Sequence, residues 1–107
     1  MKKNIAILVP QLAGGGAERV ASNLSINLSG DKYEKYIIVF DDEKIDYPYR
    51  GKFINLDTKV VKNPLAKMIN FIKRIYRLKK VKKLYNIEST ISLLSGPNVV
   101  NILSKSN

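Results

Sequence analysis

The chain contains no cysteine and no histidine. Without cysteine, neither a disulfide-stapled fold nor a thiolate metal site can be built. Without histidine, the commonest general base and metal ligand is gone, so this chain alone does not run a Ser-His-Asp or zinc mechanism. Long hydrophobic runs are missing too. Ile5-Ala6-Ile7-Leu8-Val9 is as long as any, and it is too short for a membrane span or a signal-peptide core. The expectation is a protein made and kept in the cytoplasm. A further absence is local: no acidic residue falls between Asp57 and Glu88.

What is present fits one globular domain at most: 107 residues, 45% hydrophobic and 26% charged. The net charge is +10. Lys59, Lys62, Lys67, Lys73, Arg74, Arg77, Lys79, Lys80, Lys82 and Lys83 account for all of it, because the rest of the chain carries nine basic and nine acidic residues. Such a patch is attracted to nucleic acid, nucleotide phosphates or acidic lipid headgroups.

The apolar run 5–9 reads as a buried, parallel first strand, closed by Pro10. Ala17, Val20, Ala21, Leu24 and Leu28 follow at helical spacing, and Gly30 is the expected stop in the C′ position. Ile37-Ile38-Val39-Phe40 reads as a second strand and Phe53-Ile54-Asn55-Leu56 as a third. Asn63-Pro64 opens a long helix, with Asn as N-cap and Pro in the first turn. Ser89 to Leu94 is a fourth strand and Asn98 to Lys105 a short last helix. The order β-α-β-β-α-β-α predicts an α/β, Rossmann-like, mostly parallel sheet with helices on both faces. Four strands are fewer than such sheets commonly use, so the stretch reads as the front part of a doubly wound domain.

Two places carry chemistry. After the first strand, Gly14, Gly15 and Gly16 let backbone N–H groups approach an anion, and the helix that follows adds its positive dipole end. Arg19 stands where a dinucleotide fingerprint needs its third glycine, and no Gly-Lys-Ser/Thr follows, so neither phosphate motif is complete. A bare strand-to-helix turn remains the alternative, with Glu18 merely complementing the dipole. Asp41-Asp42-Glu43, after the second strand, reads as a solvated loop rather than a ribose site. Tyr33, Tyr36, Tyr47 and Tyr49 flank loops where a sugar could stack.

The second place is the long helix. Leu65, Met68, Ile69, Ile72, Ile75 and Tyr76 form one face, expected to pack on the sheet; Lys67, Lys73, Arg74, Arg77 and Lys80 gather opposite. Beyond Leu78 the stripe drifts, so an end or bend near Lys79-Lys80 is expected. Lys73, Arg74, Arg77, Lys80 and Lys83 are the candidate patch for an anionic membrane, held by charge and not by insertion, because the core claims the apolar face. Nucleic acid competes for the same charge, but the helix lacks a recognition-helix cluster and an aromatic stacking platform. A stand-alone nucleic-acid module and an NAD-type Rossmann domain stay open as alternatives.

The run Pro10-Gln11-Leu12-Ala13-Gly14-Gly15-Gly16-Ala17-Glu18-Arg19-Val20 after a first strand resembles the N-terminus of GT-B glycosyltransferases of the family 4 type. Ile91-Ser92-Leu93-Leu94 followed by Pro97-Asn98-Val99-Val100-Asn101 is similar to the fourth strand and loop of the capsular-sugar branch. The resemblance implies the N-terminal, acceptor-side domain of a retaining enzyme that moves a sugar from a nucleotide-sugar, such as a UDP-sugar, to a polysaccharide or lipid-linked acceptor. It implies that amides of Gly14, Gly15 and Gly16, with Glu18 and Arg19 beside them, face the donor diphosphate, with no metal or other cofactor. It also implies a cytoplasmic enzyme, peripheral at the inner face of the membrane. The family's C-terminal donor-binding domain lies beyond these residues. A histidine that many relatives place in the cleft has no counterpart here, where Ser95 to Asn98 occupy the nearest loop. The catalytic residues are therefore unassigned, and activity by this stretch alone is not expected.

Overall fold

The computed structural model describes residues 2–11, 15–41, 45, 47–59, 61–93, 101 and 104. They form β1 (Lys3–Val9), α1 (Gly16–Asn27), β2 (Tyr33–Val39), β3 (Lys52–Asn55), α2 (Pro64–Leu84) and β4 (Ser89–Ser92). The strands make one all-parallel sheet in the order β3-β2-β1-β4. From β1 the chain steps outward through β2 to β3, then crosses back over the sheet to lay β4 on the free side of β1. Right-handed crossovers in opposite directions place their helices on opposite faces. Ile7, Val9, Ile37 and Val39 meet Ala21 and Leu24 of α1. Ala6, Leu8, Tyr36, Ile38 and Phe40 meet Leu78, Ile75 and Val81 of α2. β1 and β2 thus bury alternate side chains on both faces, and that is why they read as unbroken apolar runs. This is an α/β, Rossmann-like arrangement with helices on both faces.

The ends of α1 depart from expectation. Its C-cap is Leu28 (φ −66°, ψ 136°), and Gly30 lies in the following turn without a positive φ. The last carbonyls are finished by a lysine instead of a left-handed glycine. Lys35 of β2 is 6% exposed, and its Nζ donates to Ser25 O (2.6 Å) and Leu28 O (2.8 Å). An ammonium there also complements the negative end of the helix dipole. Beside it, Gly51 has φ 119°, and a Cβ on Gly51 would stand 2.4 Å from Lys35 O. Only glycine fits between the Lys35 backbone and the start of β3.

α2 opens as its sequence predicts: Asn63 Oδ1 accepts from the N–H groups of Leu65 (2.8 Å) and Ala66 (3.4 Å), and Pro64 takes the first position. It does not stop near Lys79-Lys80 but runs unbroken to Leu84, with Lys82 and Lys83 in its last turn. Asn4 then stitches the turn after α2 to β1, its Nδ2 donating to Tyr85 O (3.0 Å) and Asn86 O (3.1 Å). The expected last helix lies outside the described residues except for Asn101 and Ser104. Both accept from Lys82, whose Nζ donates to Asn101 Oδ1 (2.6 Å) and Ser104 Oγ (3.0 Å).

Candidate functional site

β1 is flanked by β2, reached through α1 on one face, and by β4, reached through α2 on the other. The crevice outside the carboxyl ends of β1 and β4 is therefore a topological switch point, where open α/β sheets bind ligands. The glycine segment leads out of β1 into that position. Gly15 is the N-cap of α1 (φ −80°, ψ −168°), and no side chain caps the helix start. Gly16 is the first helical residue, and the Arg19 N–H donates to Gly15 O at 3.3 Å. Gly14 lies outside the described residues.

Glu18 is buried in the first turn of α1. Its Oε1 lies 3.4 Å from where a Gly15 Cβ would stand. It thus supplies negative charge to the same helix end that would attract a phosphate. A diphosphate contact would fall on the Gly15 and Gly16 backbone rather than on this side chain. Arg19 points elsewhere, its guanidinium 5.7 Å from the Tyr47 ring centroid. Ser22 Oγ of the next turn donates to Pro48 O. The segment after β2 is thereby tied against α1, and Tyr49 lies against Phe53 with ring centroids 5.0 Å apart. Tyr36 is buried in the core against Tyr85 and is not available to stack on a sugar. Asp42 and Glu43 lie outside the described residues.

The long helix is rolled relative to expectation. Of the face assigned to the core, Leu65, Met68, Ile69, Ile72 and Tyr76 are exposed, and Ile75 alone packs against the core cluster. Two members of the expected basic patch face inward instead. Arg74 donates from Nε to Thr58 Oγ1 (3.0 Å) and from Nη2 to Thr58 O (2.8 Å), and its guanidinium lies 4.2 Å from the Phe40 ring centroid. Burial lowers the Arg74 pKa from its ordinary value. Arg77 Nη1 donates to Leu56 O and to Asp57 O (3.0 Å).

The cause is the connector after β3. Its carbonyls at Leu56, Asp57, Thr58 and Lys59 face α2, and a purely aliphatic helix face would leave them unpaired. Arg74, Arg77 and Asn70, which donates to Lys59 O, supply the missing donors. Arg74 and Arg77 are therefore structural. Lys73, Lys80 and Lys83 of the proposed patch remain exposed, joined by Lys79. Tyr76, Lys79, Lys80 and Lys83 together line a shallow depression.

Among the described residues, no group of three or more His, Cys, Asp or Glu side chains could hold a metal ion. No described helix is long and apolar enough to cross a membrane. No protein-family model matches the chain, and no curated protein matches it. Fold and site therefore define an α/β, Rossmann-like chain with a glycine-opened helix at its switch point.

Proposed function

We propose that this chain is the front portion of the acceptor-side domain of a glycosyltransferase, one that moves a sugar from a nucleotide-sugar to a glycan or lipid-linked acceptor. The observation that carries the proposal is the start of α1. Gly15 and Gly16 open the helix at the carboxyl end of β1 with no side-chain cap, in the crevice where the strand order reverses. The backbone amides of Gly15 and Gly16 are assigned to the donor diphosphate, a UDP-sugar being the donor class. The Pro10–Val20 run supports the same reading by its resemblance to family 4 glycosyltransferases. A peripheral place at the inner face of the membrane belongs to it as well, supported by the exposed lysines of α2.

Titrating UDP and, separately, NAD into isotopically labelled protein tests the reading through the backbone amide shifts of Gly15, Gly16, Glu18 and Arg19. With UDP, saturable shifts confined to this segment are expected, with affinity on the order of millimolar for a site built from a few backbone contacts. No UDP-dependent shift there refutes the assignment. A stronger response to NAD than to UDP replaces it with a dinucleotide site.

A further inference from the structure

We propose that Arg74 and Arg77 of α2 are positioning residues for the glycine segment, acting through Thr58 and Phe40 on the peptide unit that opens it. Their bonds to the connector after β3 do not end there. The Thr58 hydroxyl accepts from Arg74 Nε (3.0 Å) and donates to Phe40 O (3.2 Å). Arg77 donates to Asp57 O (3.0 Å), and the N–H of that same peptide unit, on Thr58, donates to Phe40 O at 2.7 Å. Two guanidinium groups thus converge on one carbonyl. The Phe40 carbonyl shares its peptide unit with the Asp41 N–H, which donates to Pro10 O at 3.2 Å. The Phe40 N–H reaches the same oxygen at 3.0 Å. The Pro10 carbonyl in turn shares its peptide unit with the Gln11 N–H, and Gln11 leads into the glycine segment.

Every donor in this chain points the same way, from the cations of α2 across the carboxyl ends of β3, β2 and β1. Hydrogen bonds in such a series polarise one another, and more strongly where water is excluded. Thr58 is 2% exposed and Phe40 4%, so the middle of the chain is shielded. Among the described residues no carboxylate pairs with either guanidinium, and both charges act on carbonyls and the Thr58 hydroxyl. Satisfying the connector alone needs only uncharged donors, as Asn70 supplies at Lys59 O. Two cations at the head of a route that ends beside the glycine segment do more. They fix the Pro10–Gln11 peptide unit and strengthen its N–H as a donor. The functional consequence rests on the reading of Gly15 and Gly16 as a diphosphate site. Pro10 is the anchored residue from which the segment leaves β1, so loosening it raises the ordering cost of the amides that meet the ligand.

Thr58→Val removes the hydroxyl at nearly constant volume and keeps the backbone bonds, whereas Thr58→Ser keeps the hydroxyl. In nucleotide-free, isotopically labelled protein, Thr58→Val is expected to move the Asp41 and Gln11 amide proton resonances upfield. Hydrogen exchange at Asp41 should become about tenfold faster, as for the loss of one hydrogen bond. Thr58→Ser is expected to restore both amides. Arg74→Lys, which breaks the forked contact at the head of the chain, should move the same two amides in the same direction. Asn70→Ala removes a donor to the same connector outside the chain and should leave them in place. In a UDP titration, Thr58→Val should weaken binding at Gly15 and Gly16 about three- to tenfold, with Thr58→Ser close to the parent. The nucleotide-free amides judge the chain even where the parent protein fails to bind UDP, a result that would refute the nucleotide site alone. Four results would each overturn the proposal: Asp41 and Gln11 amides unmoved in both Thr58→Val and Arg74→Lys, Thr58→Ser displaced as far as Thr58→Val, Asn70→Ala displaced equally far, or UDP bound as tightly by Thr58→Val as by a parent that binds it.

Discussion

Replacing Leu78 with alanine, and separately Ile72 with alanine, reports which side of α2 faces the sheet. The two positions lie about 120° apart around the helix. Leu78 is fully buried against Leu8, Tyr36, Ile38 and Phe40. Truncating such a leucine costs about 3–5 kcal/mol, from lost transfer free energy and the cavity left behind. A domain of this size has about 5–15 kcal/mol in total, so Leu78→Ala removes about a fifth or more of the fold's stability. Ile72 is 58% exposed, so its truncation stays within about 0.5 kcal/mol, helped by the helix propensity of alanine. Urea unfolding followed by far-UV circular dichroism measures both, with an unchanged m-value confirming a like-for-like comparison. The periodicity of the sequence, which puts Ile72 on the face expected to pack on the sheet, predicts a large cost for Ile72→Ala instead. A cost above about 2 kcal/mol for Ile72→Ala together with less than about 1 for Leu78→Ala would refute the roll of α2.

Gly51→Ala is expected to cost about 2–5 kcal/mol in the same assay, from positive-φ strain and collision with the Lys35 carbonyl. Gly30→Ala, with nothing within 4 Å of an added Cβ, should change stability by no more than about 0.5 kcal/mol. Arg74→Met should cost about 1–3 kcal/mol by leaving Thr58 O without its donor. Arg74→Lys should recover only a minor part, because an ammonium cannot reproduce the forked contact; thermal melts of the pair check this. The Tyr36 pKa is raised, by burial first and then by Glu34 and Tyr85. The folded state therefore favours the neutral phenol; this contribution is complete below about pH 10 and is lost as pH rises through the folded pKa. In melting curves from about pH 8 to 11, Tyr36→Phe should lose stability less steeply than the parent at the alkaline end.

The central strands were legible because a strand buried on both faces leaves a continuous apolar run, as at 5–9 and 37–40. The start of α2 was legible because Asn-Pro couples a side-chain cap to a residue that needs no helical N–H. The roll of α2 was not legible from its most hydrophobic stripe. That stripe stops at Tyr76, where lysines take over its face, whereas Ile75, Leu78, Val81 and Tyr85 carry an apolar register on to the end of the helix. Persistence along the helix, rather than local hydrophobicity, was the signal for the sheet-facing side. The inward turn of Arg74 and Arg77 had no local signal, since it answers carbonyls some twenty residues upstream. Lys35 was hidden for a similar reason: its partners are the last carbonyls of a helix on another element. At the start of α1, the strand–glycine–helix order was readable from sequence, while the pairing of Arg19 with Tyr47 depends on how the 47–50 segment folds back over α1.

The pairing of β1 with β4 also sets an order of assembly. Ile5 aligns with Ser89 and Leu8 with Ser92, so the strand made first waits for a strand made more than eighty residues later. On a ribosome, β1, α1, β2 and β3 are complete while the sheet face bearing Ala6, Leu8, Tyr36, Ile38 and Phe40 is still bare. α2 then covers that face, and the Asn4 amide, reaching Tyr85 O and Asn86 O, fastens the returning chain beside β1. Closing so long a loop is an entropic cost met before its contacts form, and it slows the final step relative to a fold built from neighbours. During that interval the nascent chain offers two apolar surfaces at once, the uncovered sheet and the outer stripe of α2.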